Sequence, residues 1–341
     1  MQPDLTVSVQ ENTDVASARR IAAAMASKLR FTDEEAGVLA VIVTEAASNI
    51  VKHGGGGEMI VRDISSSGHP LIEIIAIDRG KGMNSVARCF EDGYSTGNSP
   101  GTGLGAVARL AKYHEVYSAA EQGTVLLAHV GTKNRAGAGC DGGDRLQIGA
   151  ISLPYPGEEV CGDTWAYSEA PERARFVVAD GLGHGVFAAA ASAAAAQLTH
   201  DPGYLQPRDL IESAHIKLKP TRGAAIAAVD VDFHAGTVKF CGVGNVVGAI
   251  VSPLGIKRQM VSINGTLGHE MRKARQYDYP LEPGSLLIIH SDGLGANWTL
   301  DKYPGLFQRH AGVIAGILFR DFRRIRDDAT VVVARALGAA A

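Results

Sequence analysis

The chain has 341 residues, of which 46 % are hydrophobic and 20 % charged, and it carries a net charge of -3. That length suits two ordinary domains, the composition is that of a globular protein, and the charge gives no argument for nucleic acid or an anionic membrane as partner. Four cysteines, Cys89, Cys140, Cys161 and Cys241, stand without a CxxC pair, which indicates neither a disulfide framework nor a zinc site and fits reduced thiols in a cytosolic protein.

No basic-then-apolar leader opens the sequence, and no apolar run approaches the ~20 residues of a membrane helix, so a cytoplasmic protein is expected. Residues 16–28 and 33–53 read as helices, with Thr32 or Asp33 as the N-cap of the second. Residues 59–65 and 71–78 read as strands joined by a polar turn, 104–113 as a helix, and 116–119 with 124–130 as a closing hairpin. Together these predict an α+β domain with helices on one face of an antiparallel or mixed sheet.

Residues 131–144, rich in glycine and small polar side chains, read as a linker. They leave roughly 130 residues before and roughly 195 after, both within the usual domain range. Beyond the linker strands dominate, at 147–153, 164–168, 174–179, 224–232, 237–243, 246–252, 285–290 and 330–334. Helices are expected over 185–199, 207–217 and 305–319. The alanine tract in 186–198 reads as a helix packed closely on a sheet, and the whole as a layered sheet sandwich flanked by helices.

Three motifs in the first half bear on ligand binding. Glu45, Asn49 and His53 recur at i, i+4, i+8 and share a helix face, a spacing that also describes a solvated stripe. Asp78, at the end of the strand LIEIIAI, is followed by Gly80 and Gly82, either a turn or a place where backbone approaches a planar ligand. Gly101, Thr102, Gly103, Leu104 and Gly105 run straight into a helix, whose N-terminus is a natural cradle for phosphates.

In the second half, Asp163, Asp180, Asp292 and Asp327 sit at strand-like boundaries. Each Asp-Gly pair alone is a turn. Four short carboxylates at rigid strand ends are also a way to converge on a hard divalent cation. Acidic side chains gathered without cations would repel one another, which disfavours a scaffold with no turnover.

The ordered set E-x-x-x-N, D-x-G-x-G and G-T-G-L-G resembles the ATP-binding domain shared by histidine kinases, gyrase, certain chaperones and serine-kinase anti-sigma factors, over roughly residues 5–130. It is most similar to the stand-alone RsbT and RsbW type. The resemblance implies a Bergerat-type α/β sandwich over residues 1–132, with Mg²⁺ on Asn49, the adenine amino group on Asp78, and the glycine loop as a lid. Glu45 then matches the general base of a serine kinase; a module that only binds nucleotide is the alternative.

The order G-D, D-G-x-G-x-G, S-D-G and D-D-x-T-V-V-V resembles the SpoIIE and RsbX group of 2C-class serine/threonine phosphatases, with an α-β-β-α sandwich over residues 143–338. The resemblance implies two Mn²⁺ or Mg²⁺ ions, with Asp180 bridging, the Gly181 carbonyl completing one, and Asp292 with Asp327 holding the other. Asp163 would act through bound water, and Asp328 is an alternative to Asp327 as ligand. It also implies a phosphorylated STAS-domain protein, of anti-anti-sigma or stressosome-like kind, as substrate. His184 is expected to orient water or substrate, or to make a structural hydrogen bond, and Asn245 to occupy a hairpin turn rather than the site. The basic run 319–326 is read as a solvated helix end, or an attraction for a phosphoprotein.

Overall fold

The computed structural model describes residues 4–65, 69–89, 103–131, 145–200 and 205–337. By contacts the chain forms two compact units: residues 2–141 with 308–320, and 142–307 with 321–341.

The first unit opens with β1 (Leu5–Val9), α1 (Asn12–Lys28) and α2 (Asp33–Asn49). Helix α1 starts earlier than the expected residue 16, because the Asp14 carboxylate accepts from the amides of Gln10 at 2.8 Å and Glu11 at 3.1 Å and caps the first turn. Helix α2 begins as expected, with Thr32 Oγ1 accepting from the Glu35 amide at 3.3 Å. There follow β2 (Gly57–Asp63), β3 (Leu71–Asp78), the short α3 (Val86–Cys89), α4 (Gly103–Leu110), β4 (Tyr113–Ser118) and β5 (Thr124–Gly131). The five strands form an antiparallel sheet in the order β1-β2-β3-β5-β4.

Leu39, Ile42, Val43 and Ala46 of α2 pack with Ala18, Ala22 and Met25 of α1 onto Met59, Val61, Ile72, Ile74 and Leu126 of the sheet. The intervening side chains Ile60, Ile75, Ile77, Val125 and Leu127 are also buried. Strand β3 is thus covered on both faces, which is why it reads LIEIIAI rather than alternating. A cover for the second face comes from far along the chain: Gly316 lies where an added Cβ would meet Val125 Cγ1 at 2.7 Å, and Gly312 where one would meet Leu127 Cδ1 at 3.2 Å. Beside them, the cross-strand triplet Arg62, Glu73 and His129 is joined by an ion pair of 2.5 Å and a hydrogen bond of 3.0 Å.

The second unit contains β6 (Leu146–Leu153), β7 (Asp163–Ala170), β8 (Arg173–Gly181), α5 (Val186–Ala196), α6 (Pro207–Lys217), β9 (Ala224–Asp232), β10 (Thr237–Val243) and β11 (Val247–Val251). Five short strands without a sequence signal follow: β12 (Lys257–Gln259), β13 (Ser262–Ile263), β14 (Gly265–Thr266), β15 (Glu270–Met271) and β16 (Tyr277–Pro280). After β17 (Leu286–His290) come α7 (Ala311–Phe322), of which residues 311–320 belong to the first unit, and β18 (Ala329–Ala336).

One sheet runs β13-β10-β9-β8-β7, with β16 on β10, and another runs β12-β11-β17-β18-β6. Trp165, Phe176, Val229 and Phe240 of the first meet Ile250, Leu287, Ile289 and Val332 of the second in one core. On the outer side of the first sheet, Ala191 and Ala195 of α5 and Leu210, Ile211 and Ala214 of α6 pack on Val177, Ile226 and Cys241. Cys89, Cys161 and Cys241 are free thiols among the described residues, and no described helix is long and apolar enough to cross a membrane.

Candidate functional site

In the first unit, Glu45 and Asn49 lie half-buried on α2 and face the start of α4. A Cβ on Gly103 would stand 2.6 Å from Glu45 Oε2 and 3.9 Å from Asn49 Oδ1. Leu104 and Gly105 continue α4, while Gly101 and Thr102 lie outside the described residues. After Asn49 the helix widens into a π-helical turn, Ile50–Gly54, so the four-residue spacing ends at Asn49 and His53 is exposed. His53 stays beside the Asp78 loop, its carbonyl facing Gly80.

Asp78 is buried at the end of β3, with Oδ1 accepting from the amides of Gly80 at 2.9 Å and Thr124 at 3.2 Å. Burial raises its pKa, against the pull of those two N–H groups. A Cβ on Gly80 would lie 2.2 Å from the His53 carbonyl, and one on Gly82, at φ +63, would lie 1.9 Å from the Ala119 carbonyl. At these two positions glycine lets the chain approach itself.

In the second unit, a cleft of about 530 Å³ is lined by Tyr155, Asp180, His184, Asn245, Asp292, Arg326 and Asp327 among others. Strand pairing sets Asp163 on β7 opposite Asp180 on β8. The glycines that follow the aspartates have a packing reason. A Cβ on Gly181 would lie 2.1 Å from the Ala188 carbonyl of α5, and one on Gly293 would lie 1.8 Å from the Asp328 carbonyl. Asp-Gly is thus required where each loop presses on its neighbour.

Ser291 and Thr330 tie together the loops that carry Asp292 and Asp327, the Thr330 amide donating to Ser291 Oγ at 3.0 Å. Behind them Trp298 Nε1 donates to His290 Nε2 at 3.0 Å, while His290 Nδ1 lies 2.8 Å from the Ser291 carbonyl. With one ring nitrogen accepting and the other donating, this buried histidine is neutral, and burial lowers its pKa to about 4.

The electrostatics are those of an acidic site waiting for positive charge. Asp180 is pushed up to about 9 by burial and then by the charges of Asp163, Asp292 and Asp327. Asp163 rises to about 7 through burial, against hydrogen bonds from Ser291 and with the charge of Asp328 adding to the rise. Asp327 rises to about 6 through burial and Asp292. Asp163 Oδ2 is buried without a hydrogen-bond partner. Among the described residues, no group of three His, Cys, Asp or Glu side chains stands ready-formed as a metal site. An all-oxygen, carboxylate-rich donor set fits Mg²⁺ or Mn²⁺.

Asp328 accepts from the Tyr155 amide through Oδ1 at 2.8 Å, and its own amide donates to Asp327 Oδ1 at 3.0 Å. Asp327, not Asp328, lines the cleft. His184 Nδ1 is 2.7 Å from Glu158 Oε1, and its ring stacks on Tyr155 at 4.7 Å. Asn245 corrects the expectation of a turn apart from the site: it lies between β10 and β11, yet its Nδ2 donates to Asp292 Oδ2 at 2.6 Å. The basic run divides as well, with Arg320 buried in α7 and Arg326 lining the cleft.

Residues 9–129 match the family model of the histidine kinase-like ATPase domain, and residues 170–337 that of stage II sporulation protein E (SpoIIE). The chain is 30% identical over 151 residues to the phosphoserine phosphatase RsbX of Bacillus subtilis, covering 44% of this chain and 76% of RsbX. It is 29% identical over 128 residues to the serine/threonine-protein kinase RsbT of the same organism, covering 38% of this chain and 96% of RsbT. A solved structure from work on the bacterial stressosome, a modular system adapted to control secondary messenger signaling, is 27% identical with a TM-score of 0.51, covering 56% of this chain and 100% of that one. The chain therefore belongs to the RsbX and SpoIIE family of serine/threonine phosphatases, with a histidine kinase-like ATPase domain of RsbT type ahead of the phosphatase.

Proposed function

We propose that this phosphatase removes phosphate from a phosphorylated STAS-domain protein of a partner-switching pathway in the cytoplasm, with an N-terminal domain over residues 1–132 that binds ATP and Mg²⁺ and a catalytic domain over residues 143–338. The observation that carries the reading is the gathering of Asp180, Asp292 and Asp327 in one cleft, with the carboxyl groups of Asp180 and Asp327 held well above their ordinary range. Asp180, Asp292, Asp327 and the Gly181 carbonyl would hold two divalent ions, Mn²⁺ or Mg²⁺, with Asp163 and Asp328 acting behind them. When bound, the ions supply positive charge to the phosphoryl oxygens and an acidified water.

The chain's own residues do the rest. Asn245 fixes the Asp292 carboxylate, Ser291 and Thr330 fix the loops, and Glu158 orients His184 at the cleft wall. There the imidazole is within the same cleft as the aspartates, a place from which it can give a proton to the departing serine oxygen. The test is Mn²⁺-dependent phosphate release from a phosphoserine peptide by wild type and by Asp180→Asn. Release by wild type alone is expected; equal release by both would remove Asp180 from the mechanism.

For the first domain, Glu45 lies beside Gly103 at the start of α4, where a carboxylate can take the proton of a partner's serine hydroxyl. Asn49 would hold Mg²⁺ and Asp78 the adenine amino group. A Glu45→Ala protein that binds ATP but no longer labels a serine-bearing STAS partner is expected. Failure of wild type to label any such partner would leave a nucleotide-binding module.

A further inference from the structure

Large apolar side chains stand exposed beside the aspartates of the cleft. Leu182 is 54 % exposed, Val186 62 %, Phe187 63 % and Ile325 75 %. Leu182 follows Asp180 by two positions, Val186 and Phe187 form the first turn of α5, and Ile325 precedes Asp327 by two. Folding does not ask for them. Helix α5 is otherwise alanine and serine, with Ala188, Ala191 and Ala195 turned into the core. Alanine forms helix better than valine or phenylalanine, and bulky apolar groups left in water forfeit their burial energy.

Phe187 is also held in place. The Arg222 guanidinium carbon lies 4.9 Å from its ring centroid, a cation–π contact. A Cβ on Gly183 would come within 3.3 Å of Arg222 Nη1, so glycine there leaves the guanidinium its room. Arg326 and His184 line the cleft itself. Arg222 beside Phe187 and Arg326 in the cleft thus place two guanidinium groups close to these apolar side chains.

We infer, resting on the phosphatase reading above, that Leu182, Val186, Phe187 and Ile325 seat apolar residues on both sides of a phosphorylated serine or threonine in a partner protein. The phosphoryl dianion complements Arg222, Arg326 and the metal-binding aspartates once loaded, and the flanking side chains of the substrate cover the apolar rim. Such a rim around a charged centre is the anatomy of a protein docking surface. A small phosphomonoester fills the cleft and leaves the rim bare, so the surface selects phosphoproteins over free metabolites.

The experiment uses the full chain with Mn²⁺ and three probes: p-nitrophenyl phosphate and two phosphoserine peptides of equal length and net charge. One peptide carries leucine and isoleucine beside the phosphoserine, the other glutamine and serine. Wild type is expected to favour the apolar peptide by about 10-fold in kcat/KM, chiefly through KM. Phe187→Ala and Val186→Ser should each lower the apolar-peptide efficiency relative to p-nitrophenyl phosphate by about 5-fold or more. Both positions are exposed, and circular dichroism melts are to check that the variants fold.

Equal efficiency toward the two peptides, or a preference that survives both substitutions, overturns the inference while leaving the phosphatase intact. A wild-type dimer by light scattering that Phe187→Asp converts to monomer also overturns it, and assigns the face to a second copy of the chain. If wild type turns over none of the three probes with Mn²⁺, the phosphatase reading falls and the inference falls with it.

Discussion

Replacing Asp180 by asparagine should stabilise the metal-free protein while abolishing its response to metal. The carboxyl of Asp180 is raised from 3.8 to about 9 by burial and by Asp163, Asp292 and Asp327. A carboxylic acid with a raised folded-state pKa costs nothing below its unfolded value and costs progressively more as pH climbs toward the folded value. At pH 7 the full cost would be about 4 kcal/mol, which the solvent on the open side of the cleft reduces to about 2 kcal/mol. Asparagine keeps the size and loses the titration, so the metal-free variant should melt about 5 °C higher.

With metal the order reverses. Saturating Mn²⁺ at about 100 times its dissociation constant adds about 2.7 kcal/mol to wild type, and little to the variant. Both tryptophans, Trp165 and Trp298, lie in the second unit, so tryptophan fluorescence follows that unit alone in melts with EDTA or MnCl2. A metal-free variant less stable than wild type, or one with an undiminished Mn²⁺ shift, would refute the reasoning.

Burial alone would raise the Glu73 carboxyl, but Arg62, with His129 and His310, brings it down to about 2; its contribution is therefore complete above the ordinary 4.5 and lost as pH falls through about 2. Glu73→Gln should cost the first unit about 3 kcal/mol by leaving Arg62 buried without its anion, and should flatten that acid limb in urea titrations followed by circular dichroism. Gly103→Ala places a methyl 2.6 Å from Glu45 Oε2; calorimetry should show ATP–Mg²⁺ bound about 10-fold more weakly, a loss of about 1.4 kcal/mol, in a protein that still folds. His184→Ala should slow phosphoserine hydrolysis by about 100-fold and p-nitrophenyl phosphate, whose leaving group needs no proton, far less. Equal losses on both would deny the histidine a role as proton donor.

Much of this site could be read from local sequence because its chemistry is written at strand ends. Asp180-Gly181 and Asp292-Gly293 close aliphatic runs, and each glycine proves to be needed where a carbonyl presses close. Asn245 could not be read, since its hydrogen bond spans 47 positions and its neighbours look like any tight turn. The break of period after Asn49 could not be read either, because a π-helical turn leaves no mark in a four-residue pattern. In the first unit the uninterrupted LIEIIAI stretch of β3 announces a sheet covered twice, and α1 and α2 supply one cover. The other cover is a helix apolar on every side, whose sequence says that it is buried without saying against what.

That helix has a consequence for how such a protein can be inherited. Residues 308–320 lie between Asp292 and Asp327 in the chain, yet they complete the ATPase-type unit. A gene split in the 132–144 segment would give the N-terminal product a sheet with Ile75, Val125 and Leu127 uncovered, and would give the C-terminal product an apolar helix without its seat. Either fragment would aggregate or wait for its complement. The first unit is thus closed only by residues synthesised well after the rest of it, and its second sheet face stays open until they emerge.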